Sequence, residues 1–279
     1  MKYGTAAAFR RALTDRLNDR ARRTGVAPNR LRKQVVFERF LARLFHQGDA
    51  NWVLKGGYAL ELRFPGQARA TRDLDLNIPL PPLTDLLDTL QRAATKDLGD
   101  YFEFILTAPT ARGELVGPPL GGYRFHVEAR LDGRAFDRFP LDVGQGDVTV
   151  REPDLVPGQS DVTFAGLETP VLPVYPLEDH FAEKLHAYTT PRENPSRVKD
   201  LVDLLLLIEL GVRPSALLRQ SIDDTFERYS RHLLPNKLPV PPASWRHPFV
   251  ALAAEAGLTT HGIEGAYDRL DDFLSRVPP

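Results

Sequence analysis

Residues 53–78, "VLKGGYALELRFPGQARATRDLDLNI", contain the local pattern that decides the fold. A short apolar run leads into two glycines, and the segment after them, "YALELRF", has apolar residues at helical spacing. Further on, "DLDLNI" alternates polar and apolar residues, as a strand with one buried face does. The stretch therefore predicts a strand, a glycine turn, a helix and a second strand in close succession.

The alternation in "DLDLNI" sets two carboxylates side by side. Side chains alternate along a strand, so Asp73 and Asp75 share one face while Leu74 and Leu76 point into a core. Adjacent carboxylates repel each other unless a cation lies between them. Magnesium fits this role, because it binds one or two protein carboxylates together with substrate phosphates. The competing interpretations are an ordinary acidic pair at the surface of an edge strand and a pair of helix and loop caps.

The glycines and a third acid extend this pattern. Gly56 and Gly57 let the backbone approach a phosphate closely at a helix N-terminus, although two glycines also occur in plain turns. Two-metal chemistry needs a further acid on a neighbouring strand, and Asp142 in "RFPLDVG" is our first choice. Asp137 and Asp147 compete with it, and a simple turn residue is the other interpretation of Asp142.

The rest of the chain predicts an α+β fold, a mixed sheet flanked by helices with a helical C-terminal half. Short β-branched and aromatic runs punctuated by Gly and Pro predict the strands. These runs are "WVLK", "DLDLNI", "YFEFILTA", "YRFHVEARL", "RFPLDVG" and "DVTF", with a helix near 83–97. Later helices are expected at 177–189, 196–210, 215–231 and 261–276, and the proline-rich segment 235–248 is expected to be a loop. We place the domain boundary between 1–170 and 171–279.

Composition narrows the functional classes. The 36 Lys and Arg nearly balance the 37 Asp and Glu, so any basic surface must be local. The absence of cysteine excludes disulfides and Cys-ligated metal sites. His-Glu-x-x-His and Walker A sequences are absent, which disfavours zinc hydrolases and P-loop enzymes. No segment has transmembrane length and the N-terminus lacks the apolar core of a signal peptide, so we expect a cytoplasmic protein without membrane contact.

The densest basic region lies in two helices predicted near the N-terminus. Phe9, Leu13 and Leu17 recur at helical spacing in the first helix, and Pro28 is expected to open the second. The basic residues are Arg10, Arg11, Arg16, Arg20, Arg22, Arg23, Arg30, Arg32 and Lys33. They form either a solvated helical face or a surface for RNA phosphates.

Four segments together resemble a known family. "KGGYALELRF", "RATRDLDL", "EKLHA" and "RVKDLVDL" follow one another as in the AbiEii/AbiGii toxin nucleotidyltransferases of type IV toxin–antitoxin systems, within the DNA polymerase β-like superfamily. The resemblance spans roughly residues 50–210. It implies a nucleotidyltransferase-like sheet and Mg²⁺-dependent transfer from an NTP to RNA, expected at the tRNA 3′ end, which would block translation. It also implies a separate antitoxin that is a DNA-binding regulator.

The resemblance assigns roles around the glycine turn and the acids. Gly56 and Gly57 match the turn that holds the nucleotide phosphates, although relatives in the wider superfamily often carry Gly-Ser there. Arg69 and Thr71 match the Arg-x-Ser/Thr that leads into the acids and are expected to help bind the nucleotide. Asp73 and Asp75 match the metal-binding pair, as catalytic residues. Tyr58 departs from the pattern, since the toxin family commonly has a smaller Thr or Ser.

In the helical half, the resemblance assigns catalytic roles to Lys184, as a triphosphate contact, and to Asp200. From the residues alone, Lys184 lies beside an apolar stripe and could instead be an exposed lysine paired with Glu178 or Glu183. Asp200 and Asp203 flank a leucine-rich helix, where capping or surface pairing with Arg197 and Lys199 is the alternative. Only Asp200 matches the family motif.

Two other functional classes are compatible with these residues. The same acids could transfer a nucleotide or phosphate to a protein or to a small molecule such as an aminoglycoside. A catalytically silent nucleotide-binding module is the alternative from outside the enzymes. Retention of the acids and of the lysine favours an enzyme.

Overall fold

The structure is a computed structural model that describes residues 1–46, 52–78, 83–107, 121–145, 151–159, 161–191, 197–260 and 262–279. The chain divides into two compact units. The first comprises Met1–Leu62 and Thr71–Val174. The second comprises Arg63–Ala70 and Tyr175–Pro279. The second unit therefore takes a short segment from within the stretch that decides the fold.

Within the described ranges, the first unit contains one mixed sheet of seven strands in the order β3-β4-β5-β2-β1-β7-β6. The strands are β1 (Val53–Lys55), β2 (Leu74–Ile78), β3 (Phe102–Thr107), β4 (Gly122–Leu131), β5 (Arg134–Gln145), β6 (Asp154–Pro157) and β7 (Val171–Val174). β2 runs parallel to β5 and β1 runs parallel to β7, whereas the other neighbours are antiparallel. The predicted α+β class with a mixed sheet is confirmed.

The helices that begin in the first unit are α1 (Ala6–Thr24), α2 (Pro28–Leu44), α3 (Gly56–Arg63) and α4 (Leu83–Ala94). The Thr5 hydroxyl caps α1 by accepting a hydrogen bond from the backbone N–H of Ala8 at 3.2 Å. As predicted, Pro28 opens the second helix and the apolar stripe of the first one is buried. The stripe belongs to the core of the unit.

One face of the sheet is packed and the other carries polar residues. Phe37 and Phe40 of α2 both contact Phe139 of β5, with ring centroids 5.0 and 5.5 Å apart. Leu141 and Val143 follow on the same strand face and are fully buried. Because side chains alternate along a strand, residue 142 lies on the opposite face.

The second unit contains α5 (Leu177–Thr189), α6 (Val198–Leu210), α7 (Ala216–Tyr229), α8 (Arg246–Glu255) and α9 (Ile263–Ser275). Helix α6 is central, since ten of its residues are buried. Its sequence, "VKDLVDLLLLIEL", is apolar on most sides, as expected for a helix surrounded by others. The predicted helical C-terminal half is confirmed.

Three predictions of local structure were wrong, and proline explains most of the error. "DVTF" is a 3₁₀ turn (Thr163–Ala165) that ends at Gly166 in the left-handed region. Strands β6 and β7 were missed because each contains a proline, Pro157 and Pro173, which argues against a strand in the sequence. Helix α8 begins inside the segment predicted to be a loop. Its Pro248 stands in the first turn, where the missing N–H breaks no helical hydrogen bond.

The described part of the chain contains no helix that is both long enough and apolar enough to cross a membrane.

Candidate active site

Four charged residues form one row across the middle of the sheet. Lys55 of β1 lies opposite Asp75 of β2, and Asp75 lies beside Asp142 of β5. Asp142 in turn faces Arg124 of β4. Residues in register on neighbouring strands project from the same face of a sheet. The row therefore has two adjacent carboxylates at its centre and a cationic residue at each end.

Gly56 is required by its contact with this row. It lies at the start of α3 with φ +68°, in the left-handed region that favours glycine. An ideal Cβ on Gly56 would overlap Oδ2 of Asp75 and would lie 2.6 Å from its Cγ. The backbone after β1 thus touches the carboxylate of the neighbouring strand. The structure shows close approach to Asp75, and the predicted approach of this turn to a phosphate stays a prediction.

Asp73 immediately precedes β2 and is held by its own loop. The hydroxyl of Thr71 donates to Oδ1 of Asp73 at 3.0 Å and lies 3.3 Å from its carbonyl oxygen. Thr71 itself is buried. This predicted nucleotide-binding residue therefore orients one of the predicted metal ligands.

Arg124 brings the three acids into one electrostatic cluster. Its guanidinium donates two hydrogen bonds to Asp142, Nε to Oδ1 at 2.6 Å and Nη2 to Oδ2 at 2.5 Å. These hydrogen bonds raise the pKa of Arg124 above its ordinary value, and the charges of Asp142, Asp73 and Asp75 raise it further. A bidentate guanidinium is the strongest side-chain partner a carboxylate can have. The charges of all three carboxylates therefore act on the guanidinium of Arg124.

The donor set is suitable for a hard divalent cation that arrives with phosphate oxygens. Within the described residues, no three acidic or histidine side chains enclose a metal site by themselves. The charges of Asp73 and Asp75 nevertheless both act on Arg124, and magnesium commonly takes one or two carboxylate ligands together with substrate phosphates. The third predicted ligand, Asp142, lies next to Asp75, but both its oxygens bind Arg124.

The competing acids lie elsewhere. Asp137, on the same strand as Asp142, is paired with Lys33 at 3.1 Å and faces Ala129 of β4. Asp147 lies outside the described residues. Tyr58, which departs from the family pattern, is fully buried, with its hydroxyl 3.3 Å from the carbonyl of Gln34. It belongs to the core.

A second charged centre lies within the second unit. Asp203 of α6 accepts two hydrogen bonds from Arg69, each 3.0 Å long, and an ion pair from Nζ of Lys184 at 2.8 Å. The Asp203 side chain is fully buried and that of Lys184 is 16% exposed. Lys184 is therefore not an exposed lysine paired with Glu178 or Glu183.

Opposite charge, rather than burial, fixes the ionisation of this centre. Burial alone would raise the pKa of Asp203, but the charges of Lys184 and Arg69 outweigh it and lower the pKa to about 2. Burial likewise would lower the pKa of Lys184, yet the attraction of Asp203 and then of Asp200 raises it. Both cations and Asp203 are thus charged at neutral pH.

Asp200 is at the edge of the same centre. Its oxygens lie 3.4 Å from Lys184 and 3.4 Å from Arg197, and the residue is only 4% exposed. The expected pairing with Arg197 exists, although the carboxylate is buried and not at the surface. The two predicted catalytic residues of the helical half, Lys184 and Asp200, are therefore in contact.

Sequence reasoning assigned no role to Lys55, Arg124 or Asp203. Lys55 and Arg124 depend on strand pairing, for which a single segment gives no signal. Asp203 had one usable signal: it is an acid within an otherwise apolar helix, and a buried carboxylate requires a partner.

Comparison with known proteins agrees with this architecture. The sequence model of the nucleotidyl transferase AbiEii toxin of type IV toxin–antitoxin systems matches residues 39–274. No curated protein sequence matches the chain. Among solved structures, MenT4, a nucleotidyltransferase toxin from Mycobacterium tuberculosis H37Rv, aligns with a TM-score of 0.57 at 18% identity, over 99% of each chain.

A Helicobacter pylori protein assigned as a nucleotidyltransferase aligns with a TM-score of 0.51 at 15% identity, over 91% of this chain and all of that one. At such identities, both structures support the fold alone. The family match spans most of the sequence, including every residue discussed above from Lys55 to Asp203. The chain therefore belongs to the AbiEii nucleotidyltransferase toxin family of type IV toxin–antitoxin systems.

Proposed function

We propose that this toxin transfers a nucleotidyl group from an NTP to RNA, with the 3′ end of tRNA as the acceptor and arrest of translation as the result. The observation that carries the proposal is the row on the sheet. Asp75 and Asp142 lie in register on adjacent parallel strands, and Asp73, which immediately precedes β2, is held by Thr71. Family membership supports a nucleotide substrate and a toxic product.

The acids give this site its chemistry. Asp73 and Asp75 would hold magnesium, which when bound neutralises the triphosphate and activates the acceptor hydroxyl. Asp142 would contribute to a second metal once Arg124 releases it. The acceptor hydroxyl would lose its proton to solvent as its oxygen forms a bond to the α-phosphorus. The bond from the α-phosphorus to the oxygen that bridges it to the β-phosphorus would break, and pyrophosphate would leave with that oxygen.

Charge stabilisation is the proposed role of the remaining residues. Lys184 and Arg69 would offset negative charge on the triphosphate, with Asp200 maintaining Lys184 in its charged form. The backbone at Gly56 and Gly57 would approach the phosphates at the start of α3. These groups position and neutralise the substrate, which is the main requirement in phosphoryl chemistry.

The biological setting follows from the family. A toxin of this class has an antitoxin partner. We propose that this antitoxin is a DNA-binding regulator and that both proteins act in the cytoplasm, where tRNA and NTPs are available.

The experiment is incubation of purified protein with magnesium, total tRNA and each α-³²P-labelled NTP in turn. Label should appear on tRNA, and Asp73→Ala should abolish it because a metal ligand is lost. Asp272→Ala is the matched control, since Asp272 is 68% exposed in a pair with Arg276 on α9. It should label tRNA as the wild type does.

Omitting magnesium should also abolish labelling, and adding it back should restore it. Asp73-dependent label on a protein or a small molecule would refute the RNA acceptor while keeping nucleotidyl transfer. Full labelling by Asp73→Ala would refute the assignment of the metal site.

A further inference from the structure

The first unit contains a basic cleft apart from the candidate active site, which we call the arginine cleft. It has a volume of about 600 Å³ and lies among α1, α2 and the turn between β4 and β5. Four arginines line it, Arg10 and Arg11 from α1, Arg32 from α2 and Arg134 from the start of β5. Arg134 is distant in sequence from the basic N-terminal region, so only folding brings it to the others.

Three of these arginines, Arg10, Arg11 and Arg134, differ from most basic residues of the N-terminal helices. Across the described ranges, no hydrogen bond or ion pair involves the guanidinium groups of Arg10, Arg11 or Arg134. Several of the neighbouring cations have acidic partners: Arg20 with Asp161, Arg22 and Arg23 with Asp19, Arg30 with Glu61, and Lys33 with Asp137. Folding thus pairs five of the nine basic residues from Arg10 to Lys33 with acids, stacks Arg16 on the ring of Phe164, and brings Arg10, Arg11 and Arg32 to the cleft.

The fourth arginine is held by an aromatic ring. The guanidinium carbon of Arg32 lies 5.4 Å from the ring centroid of Phe136, a residue that is 8% exposed. Such a cation–π contact orients a guanidinium without neutralising its charge. Arg32 therefore adds a fixed positive charge to the three arginines for which the described part of the chain supplies no acidic partner.

The lining favours phosphates over a protein surface. Beyond Phe136, its apolar residues are three alanines, so it lacks the large exposed anchors of a protein interface. Asp15 and Asp132 also line the cleft, which leaves four positive against two negative side chains. Guanidinium groups match phosphate oxygens in a bidentate manner, and several at one cleft suit a polyanion with repeated phosphates.

We propose that the arginine cleft binds the phosphate backbone of the acceptor RNA at a distance from its reacting end. This inference rests on the proposed transfer to RNA and adds the surface that selects it. Arg134 and Asp142 are eight residues apart on β5, so at about 3.3 Å per residue they are separated by roughly 26 Å along the strand. That length corresponds to about eight steps of a stacked nucleic-acid strand at 3.4 Å each.

The test measures binding of fluorescently labelled total tRNA to wild type, to Arg10→Ala/Arg11→Ala/Arg134→Ala and to a control triple variant. The control, Arg22→Ala/Arg23→Ala/Arg138→Ala, removes three arginines that are 73, 71 and 74% exposed and are all paired with acids. Both variants change the net charge equally, so a difference between them reports the cleft and not the total charge.

The expected result is a smaller salt dependence for the cleft variant. Three lost phosphate contacts should reduce the slope of log K against log salt by about 2.7. Between 50 and 200 mM salt, wild type should therefore lose on the order of 40-fold more affinity than the cleft variant. The control variant should retain most of the wild-type slope.

Nucleotidyl transfer separates this inference from the proposed function. The KM for tRNA should rise in the cleft variant while kcat stays unchanged. A 3′-terminal tetranucleotide, too short to reach the cleft, should react equally with wild type and with the cleft variant. If wild type labels tRNA but the cleft and control variants bind it alike, the cleft inference is wrong and the proposed function stands. If wild type labels a different acceptor and does not bind tRNA, both are wrong.

Discussion

Gly56→Ala tests whether the carboxylate row depends on the glycine turn. At φ +68° an alanine adopts the left-handed region, which costs roughly 1–2 kcal/mol. Its Cβ would also overlap the Asp75 carboxylate, and forcing an extra carbon into a packed site costs about 1–3 kcal/mol. Together the substitution should lower the free energy of unfolding by about 2–5 kcal/mol. It should also displace Asp75 and strongly reduce nucleotidyl transfer.

Gly25→Ala is the matched control. Gly25 ends α1 with φ +71°, and a Cβ there would meet nothing within 4 Å. It should therefore show only the backbone cost of roughly 1–2 kcal/mol and keep full transfer activity. The difference between the two variants isolates the collision with Asp75.

A double-mutant cycle of Gly56 and Asp75, measured by urea unfolding, tests the collision without relying on activity. Asp75→Ala removes the carboxylate that the new Cβ would strike, so Gly56→Ala should cost about 1–2 kcal/mol less in that background. The reasoning fails if Gly56→Ala and Gly25→Ala lose the same stability. It also fails if the cycle shows no coupling between Gly56 and Asp75.

Two further predictions concern the second unit. Asp203→Asn leaves Arg69 and Lys184 without their shared buried charge and should lower the free energy of unfolding in urea by about 3–5 kcal/mol. The control Asp223→Asn, in an exposed pair on α7, should lower it by less than about 1 kcal/mol. Equal losses would contradict the role of Asp203. Burial, then repulsion by His232 and nearby arginines, lowers the pKa of His186 to about 4. Between pH 6.5 and 4 the unfolded chain therefore binds more protons at this residue than the folded chain does. The free energy of unfolding should decrease as the pH is lowered through that window. His186→Phe should flatten this slope in thermal melts at stepped pH, and an unchanged slope would exclude His186 as its source.

Local patterns in the sequence were sufficient where the structure depends on neighbouring residues. The strand-glycine-helix succession at 53–63 and the buried leucines around Asp75 follow from alternation and helical spacing alone. Strands β6 and β7, each of which contains a proline, were missed for the opposite reason. Pro173 lies in a strand between β1 and β6, and only the folded sheet shows that its missing N–H is tolerated there.

The residues of the candidate site likewise divide into those that local sequence patterns predict and those that depend on distant elements. The spacing of Asp73 and Asp75 predicted a shared strand face, although Asp73 lies just before β2, and Asp142 was chosen because apolar residues flank it. The contacts of Arg124 and Asp203 were beyond such reasoning, because each depends on an element distant in sequence. Arg124 meets Asp142 through strand pairing, and Asp203 meets Arg69 across 134 residues.

The register that aligns the two central acids is fixed by the core and not by the acids. Leu74, Leu76, Leu141 and Val143 are at most 2% exposed on the packed face. Each contributes about 1.5–3 kcal/mol on burial, so a one-residue slip of either strand, which would expose two of the four, would cost roughly 3–6 kcal/mol. Repulsion between acids directly opposite each other costs only on the order of 1 kcal/mol. Packing therefore outweighs repulsion and holds Asp75 beside Asp142, a juxtaposition that carboxylates would not adopt by themselves and that the proposed binding of a divalent cation would use.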